Sequence, residues 1–401
     1  RTDAFGEILL TDLEPGTYRA VEVDTGNDGY ILDTTPQSVE LKAGDGIKEL
    51  TFFNDMKPGM KLIKVDSADP SKVIPNAVFE IKSVAGDYGP EEFTTDENGE
   101  IDLSHLPAGA YVVTEKSCPG YIIDEAQRII QLDPNEDAQF VFTNSIKPSF
   151  QLIKLSADGS RLAGVTFCIA KIEDGSHYLD RTTNSQGEIL IADLEPGVYS
   201  VKETATVADH ILDPTEYHVE LFPGQTSTIT IQNDKRPNLT IRKTDKDTGE
   251  PIPGVTFTLR YADGPTITTE PTGEDGTVTI ENLLPGVYTV TEQSVPEGYI
   301  LDTTPQQVTL EPNRDATVQF QNYKRPTLTI HKVDINGNAL TGAIFEVKTK
   351  AGVKIGDFPV GPDGSITVEN IHLEEGYYIV TEIQAPDGSI LDSTPHEVYL
   401  R

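Results

Sequence analysis

The sequence predicts an all-β chain built as a tandem array of small β-sandwiches, and three observations predict it. Short β-rich runs alternate with Gly, Pro, Asp and Asn turns at roughly 8–12-residue spacing, the pattern of sandwich strands. A block with a Tyr and, four positions on, a Glu returns about every 90 residues, a period that fits whole domains rather than the shorter repeats of solenoids. No helical period runs longer than about ten residues.

Each element of the repeat can be read in order. The lead-in "GEILLTDLEPGTY" (6–18) recurs as "GEIDLSHLPAGAY" (99–111), "GEILIADLEPGVY" (187–199) and "GTVTIENLLPGVY" (276–288). The fifth copy, "GSITVENIHLEEGYY" (364–378), is longer and lacks the proline. The glutamate strand follows, in "YRAVEV" (18–23), "YVVTEK" (111–116), "YSVKET" (199–204), "YTVTEQ" (288–293) and "YIVTEI" (378–383). Next comes a block typified by "GYILDTTPQSVEL" (29–41), which the third copy varies to "DHILDPTEYHVEL" (209–221). The joints "NDMKP" (54–58), "NSIKP" (144–148), "NDKRP" (233–237) and "NYKRP" (322–326) are short and lack Gly/Ser runs. Proline fixes its own φ and pushes the preceding residue to extended geometry, so these read as stiff connections. The expected domains are 1–57 (lacking its first strand), 58–147, 148–236, 237–325 and 326–401 (lacking its last strand). The stretch reads as a fragment of a longer array.

The totals narrow the functional classes. With 31 Lys plus Arg against 65 Asp plus Glu, the net charge is −34. So acidic a surface repels nucleic acid and anionic membranes, and it favours solubility. There is no run of about 18 apolar residues to span a membrane, and the N-terminus has no signal-like segment. Cys118 and Cys168 fall in different repeats, so no disulfide within a domain is expected.

Three polar residues carry the chemistry. Side chains two apart on a strand share a face. In the opening strands Met60 and Leu62 lead to Lys64, Phe150 and Leu152 to Lys154, Leu239 and Ile241 to Lys243, and Leu328 and Ile330 to Lys332. In the glutamate strands the same parity places Glu22, Glu115, Glu203, Glu292 and Glu382 inward with their Tyr. In the closing strands Asn54, Asn144, Asn233 and Asn322 each end a row of alternating apolar residues. An inward lysine and glutamate are costly unless paired. Two readings stand at this point. One is a buried ion pair with Asn as hydrogen-bond partner. The other is a self-formed amide: burial frees the lysine amine as a nucleophile, a protonated glutamate shuttles protons, and the amine displaces ammonia from the Asn side chain.

The residues resemble the Cna protein B-type (SpaA-like, prealbumin-like) repeat domains of Gram-positive surface adhesins and pilins. The resemblance rests on L-x-I-x-K-x-D (239–245), G-V-x-F (254–257), L-x-P-G-x-Y-x-V-x-E (283–292), P-x-G-Y-x-L (296–301) and F-x-N (320–322), and it extends over essentially the whole chain. It implies an immunoglobulin-like β-sandwich with an intramolecular Lys–Asn isopeptide bond assisted by an acidic residue. By position it implies bonds Lys64–Asn144, Lys154–Asn233 and Lys243–Asn322, with Glu115, Glu203 and Glu292 as proton shuttles. Glu22 and Asn54, and Lys332 and Glu382, stand as unpaired remnants that close no bond. The third copy departs from the pattern with "KLSADGS" (154–160), which puts the end of its opening strand in question. Such a bond would tie the first strand to the last, so that load bypasses the rest of the sandwich.

The other signals read as background. None of the seven histidines has zinc-ligand spacing with a cysteine, and "DENGE" (96–100) and "DKDTG" (245–249) read as solvated turns. No cofactor or metal is expected, and no turnover enzyme, because the crosslinking consumes its own side chains. The expected function is a stalk segment of a cell-wall-anchored bacterial adhesin or pilus protein, outside the cell, with neighbouring copies in a fibre as partners. The alternative is a ligand-binding region gripping a host protein or a host or plant polymer. Such binding would lie in regions outside this fragment or in the divergent copy at 148–236, with Cys168 and "HYLD" (177–180).

Overall fold

A computed structural model describes the whole chain except residues 174–176, 263 and 369–372 and the side chains of 177–179. The side chains of His177, Tyr178 and Leu179, singled out above, and His372 therefore lie outside the described residues. All named elements are strands. No helix among the described residues is long and apolar enough to cross a membrane.

The second copy shows the plan. Its opening strand, Gly59–Asp66, is the middle of a three-stranded sheet. It pairs antiparallel with Glu100–Asp102 and parallel with the closing strand Asp137–Asn144. The facing sheet runs Glu91–Thr94, Val78–Ser83, Gly109–Ser117, Arg128–Leu132. Met60, Leu62, Phe79, Ile81, Tyr111, Val113 and Leu132 pack between the sheets, which is where strand alternation sends them. The third and fourth copies repeat this order, with opening strands Ser149–Ser156 and Leu239–Asp245 and closing strands Thr226–Asn233 and Ala316–Asn322. In the fifth, Leu328–His331 pairs with Ser365–Val368 beside a four-stranded sheet, and in the first Gly16–Ala20 pairs with Gln37–Leu41. The chain is all-β, a tandem of immunoglobulin-like sandwiches.

The motifs have local jobs. In L-x-x-G-x-Y the Tyr hydroxyl reaches back to the backbone carbonyl four residues earlier: Tyr111 to Pro107 at 2.9 Å, Tyr199 to Glu195 at 2.9 Å, Tyr378 to Glu374 at 3.0 Å. This tyrosine corner pins the start of the glutamate strand, so the Glu four positions later has a fixed height in the core. The joints carry a contact that their prolines do not announce. Asn135, at φ +64°, accepts from the Met56 amide (2.7 Å) and donates its side-chain amide to Asp55 (2.7 Å). Its own N–H reaches the Met56 carbonyl at 3.1 Å. Asn313, at φ +62°, repeats all three bonds on Lys235 and Asp234.

Candidate functional site

The three predicted triads each come together in a buried site. Lys64, Lys154 and Lys243 are all 0% exposed, far from the norm for lysine. In the second copy Lys64 Nζ lies 3.1 Å from Glu115 Oε1, and Asn144 Nδ2 donates to that same oxygen at 2.6 Å. In the third, Lys154 Nζ is 3.0 Å from Glu203 Oε2 and donates to Asn233 Oδ1 at 2.5 Å, while Asn233 Nδ2 donates to Glu203 Oε1 at 2.6 Å. In the fourth, Lys243 Nζ is 3.6 Å from Glu292 Oε1, and Asn322 Nδ2 donates to both Glu292 oxygens, at 2.8 and 3.0 Å. The partial sets are in contact too. Asn54 Nδ2 donates to Glu22 at 2.8 Å, and Lys332 Nζ lies 2.9 Å from Glu382 Oε1. They are therefore paired side chains rather than isolated ones.

Backbone register explains the convergence. Parallel pairing sets Lys64 opposite Phe142 and Asp66 opposite Asn144, so the lysine and asparagine rows share a face. The fourth copy matches, with Lys243 opposite Phe320 and Asp245 opposite Asn322. From the facing sheet, a register shift after Val78 puts Phe79 opposite Glu115, and one after Thr256 puts Phe257 opposite Glu292. Those phenylalanines wall the site. Phe79 and Phe142 meet edge-on with ring centres 5.2 Å apart, Phe257 and Phe320 lie tilted at 4.9 Å, and Lys64 Nζ sits 5.6 Å from the Phe79 ring centre.

The shared "ILD" block supplies a part that parity alone does not show. The backbone N–H of Asp124, Asp302 and Asp392 donates to the second oxygen of Glu115, Glu292 and Glu382 at 3.0, 3.1 and 3.0 Å. In the second copy one carboxylate oxygen is thus held by backbone while the other takes Lys64 and Asn144; in the fourth, Asn322 also reaches the backbone-held oxygen.

Burial sets the electrostatics. It pulls Lys64, Lys154 and Lys243 below the ordinary lysine value, with the neighbouring glutamate opposing. It pushes Glu292 up, against the pull of Lys243. Both shifts in the fourth site favour an uncharged amine beside a protonated acid. Among the described residues, Lys64 Nζ, Lys243 Nζ and the Oδ1 atoms of Asn144 and Asn322 are buried without a hydrogen-bond partner. Orphaned buried polar atoms are rare and costly. Here an amine and a carbonyl oxygen are orphaned together at one site.

The third copy departs in two places at once. Elsewhere Tyr121 donates its hydroxyl to Asp66 at 3.3 Å, and Tyr299 lies beside Asp245. In the third copy those positions hold His210 and Ser156, bonded Nε2 to Oγ at 3.0 Å, with His210 Nδ1 2.9 Å from Asp209. The opening strand still ends at Ser156, as its counterpart ends at Asp66. The ladder sets that end, and the paired changes keep a polar contact there. Their co-occurrence in one copy was the available signal.

The lead-in glycine guards the site from behind. Gly276 has φ +72°, and its carbonyl accepts from the Lys243 N–H at 2.7 Å. A Cβ there would come 2.4 Å from the Lys243 carbonyl and 2.9 Å from Pro251. Gly276→Ala should destabilise its sandwich by about 1–3 kcal/mol, the cost of a strained backbone position. Calorimetry should show one domain transition moving down while the rest hold.

Sandwiches with a lysine, a carboxylate and an amide gathered in an otherwise apolar core define a class of self-contained β domains. The chain belongs to the SpaA prealbumin-like fold domain family, whose model matches residues 1–56, 58–146, 148–235, 237–324 and 326–401. It is similar to Colossin-A of Dictyostelium discoideum, 24% identical over 358 residues and 73% of this chain. The chain spans 3% of that relative's length. Among solved structures it is similar to the Bacillus anthracis TIE protein, at 19% identity and a TM-score of 0.32, covering 98% of this chain and 73% of that one. It is also similar to the shaft pilin SpaA of Lactobacillus rhamnosus GG, at 15% identity and a TM-score of 0.32, covering 43% and 97%.

Proposed function

We propose that this chain is a stalk segment of a bacterial surface adhesin or pilus protein, lying outside the cell, with its sandwiches locked by internal Lys–Asn isopeptide bonds. The observation that carries the crosslink is the geometry common to three copies: a fully buried lysine amine within 3.0–3.6 Å of a glutamate oxygen, on a carboxyl that also holds the asparagine amide. Tandem domains of one family along the whole chain support the stalk. The joints fall, in this reading, near residues 57, 147, 236 and 325, and neighbouring copies in a fibre are the natural partners.

The chemistry balances as an exchange of amides. The neutral lysine Nζ attacks the asparagine Cγ, which is polarised because the protonated glutamate turns to its Oδ1. The Nζ–Cγ bond forms, one Nζ proton travels through the carboxyl to Nδ2, the Cγ–Nδ2 bond breaks, and ammonia leaves. Folding supplies the proximity, and no water competes inside the aromatic wall. Lys64 to Asn144 closes a loop of about 80 residues, which by analogy with disulfides is worth roughly 4–5 kcal/mol.

The test is the intact mass of the full chain. It should fall short of the sequence mass by three molecules of ammonia. Digestion should yield branched peptides joining Lys64 to Asn144, Lys154 to Asn233 and Lys243 to Asn322. The full sequence mass would overturn the crosslinks.

A further inference from the structure

The position three residues after each glutamate is threonine in two copies, Thr25 and Thr206, and Cys118, Val295 and Ala385 in the others. In the third copy this residue touches the reacting amide. Asn233 Nδ2 donates to Thr206 Oγ1 at 2.9 Å as well as to Glu203 Oε1 at 2.6 Å. With both amide hydrogens held in this way, Asn233 Oδ1 faces Lys154 Nζ at 2.5 Å. In the fourth copy, where Val295 offers no hydroxyl, Asn322 Nδ2 turns to both oxygens of Glu292 and Oδ1 has no donor. In the second copy Cys118 is buried, its thiol pushed up to about 11 chiefly by burial, with Asn144 against it.

We propose that Thr206 is a positioning residue for the crosslink, holding the leaving nitrogen of Asn233 so that its carbonyl presents to Lys154. The proposal rests on the isopeptide reading above and says which copy closes fastest. The hydrogen bond is made to Nδ2, the atom that departs as ammonia. As the Cγ–Nδ2 bond breaks, Nδ2 gains a proton and positive character, so its donated bond to Thr206 Oγ1 strengthens. An interaction stronger in the transition state than in the ground state accelerates the step. The balance is unchanged: Thr206 accepts a hydrogen bond throughout and neither gains nor loses a proton.

The test follows closure in time. The full chain is made in a cell-free translation system, quenched in acid at intervals and digested, and branched and unbranched peptides are counted by mass spectrometry. Thr206→Val keeps the shape and removes the hydroxyl. It should slow the appearance of the Lys154–Asn233 peptide by about five-fold, within the range one hydrogen bond commands. Thr206→Ser should restore most of the rate, which a purely packing role would not predict. Val295→Thr should speed Lys243–Asn322 by a similar factor. Lys64–Asn144 closure in the same molecules is the internal clock and should not move. Closure of Lys154–Asn233 at the parental rate in Thr206→Val, with the clock running normally, overturns this inference and leaves the crosslink standing. Slowing that Thr206→Ser fails to rescue also overturns it. Absence of every branched peptide in the parent chain overturns the crosslink reading itself.

Discussion

Glu292→Ala should restore one molecule of ammonia to the intact mass and remove most of the stability of the sandwich at 237–324. Two losses combine. Without the proton shuttle the loop from Lys243 to Asn322 stays open, forfeiting roughly 4–5 kcal/mol of chain-entropy constraint. Lys243, at 0% exposed, is then left buried and unlinked with no carboxyl beside it, and an unsatisfied buried polar group costs about 1–3 kcal/mol. A small domain commonly has only about 5–15 kcal/mol in total. The double variant Lys243→Met with Glu292→Leu separates the terms. It cannot crosslink, yet it strands no polar group, so it should unfold well above Glu292→Ala. Equal melting of the two variants would mean the stranded amine costs nothing, and the account of the site would fail. A parental ammonia deficit in Glu292→Ala, measured against its own sequence mass, would mean that the glutamate moves no protons.

The second expected result is a bell-shaped pH dependence for closure of Lys243–Asn322. The attacking amine must be neutral, and burial lowers Lys243 below 10.5. The shuttle must hold a proton, and burial raises Glu292 above 4.5. On the acid side the rate should climb about ten-fold per pH unit as Lys243 loses its proton. On the alkaline side it should fall as Glu292 ionises, so the optimum lies between 4.5 and 10.5. The same shifts bear on the folded protein before closure. Lys243, lowered in the fold, contributes stability that is present above 10.5 and lost as pH falls through its folded value. Glu292, raised, contributes stability that is present below 4.5 and lost as pH rises through its folded value. The uncrosslinked sandwich is thus weakest in the window where closure is fastest. The measurement is refolding by dilution of chain kept in urea since synthesis, quenched in acid and scored by branched peptide. A rate that keeps climbing to 10.5, as a solvated lysine would give, excludes a buried nucleophile.

The triads were legible in the sequence because strand parity is simple arithmetic. Once Met60 and Leu62 face inward, Lys64 must follow, and the repetition of that pattern in other copies separates it from chance. The sandwich was legible for the same reason, with turns and alternation spaced alike in every copy. What parity could not reach depends on contacts between loops far apart in the chain. Nothing local marks the Asp302 amide as the group that holds Glu292, or Asn135 as the residue that grips Met56. Thr206 was hidden for a further reason: its position varies between copies, and the repeat drew attention to what stays the same. The end of the third opening strand looked uncertain because Ser156 replaces an Asp. A ladder of backbone hydrogen bonds does not depend on that side chain, and His210 supplies the partner that Tyr supplies elsewhere.

The parallel pairing of opening and closing strands has a last consequence, for survival among proteases. In the second copy the polypeptide arrives along Gly59–Asp66 and departs along Asp137–Asn144 at its side. Everything between is an excursion that returns to its starting place. That excursion includes the exposed turn at 84–87. With Lys64 joined to Asn144, a peptide bond cut there severs nothing on the line that connects one bead to the next. Damage then stays inside the copy where it occurs, and the chain on either side of it stays covalently connected.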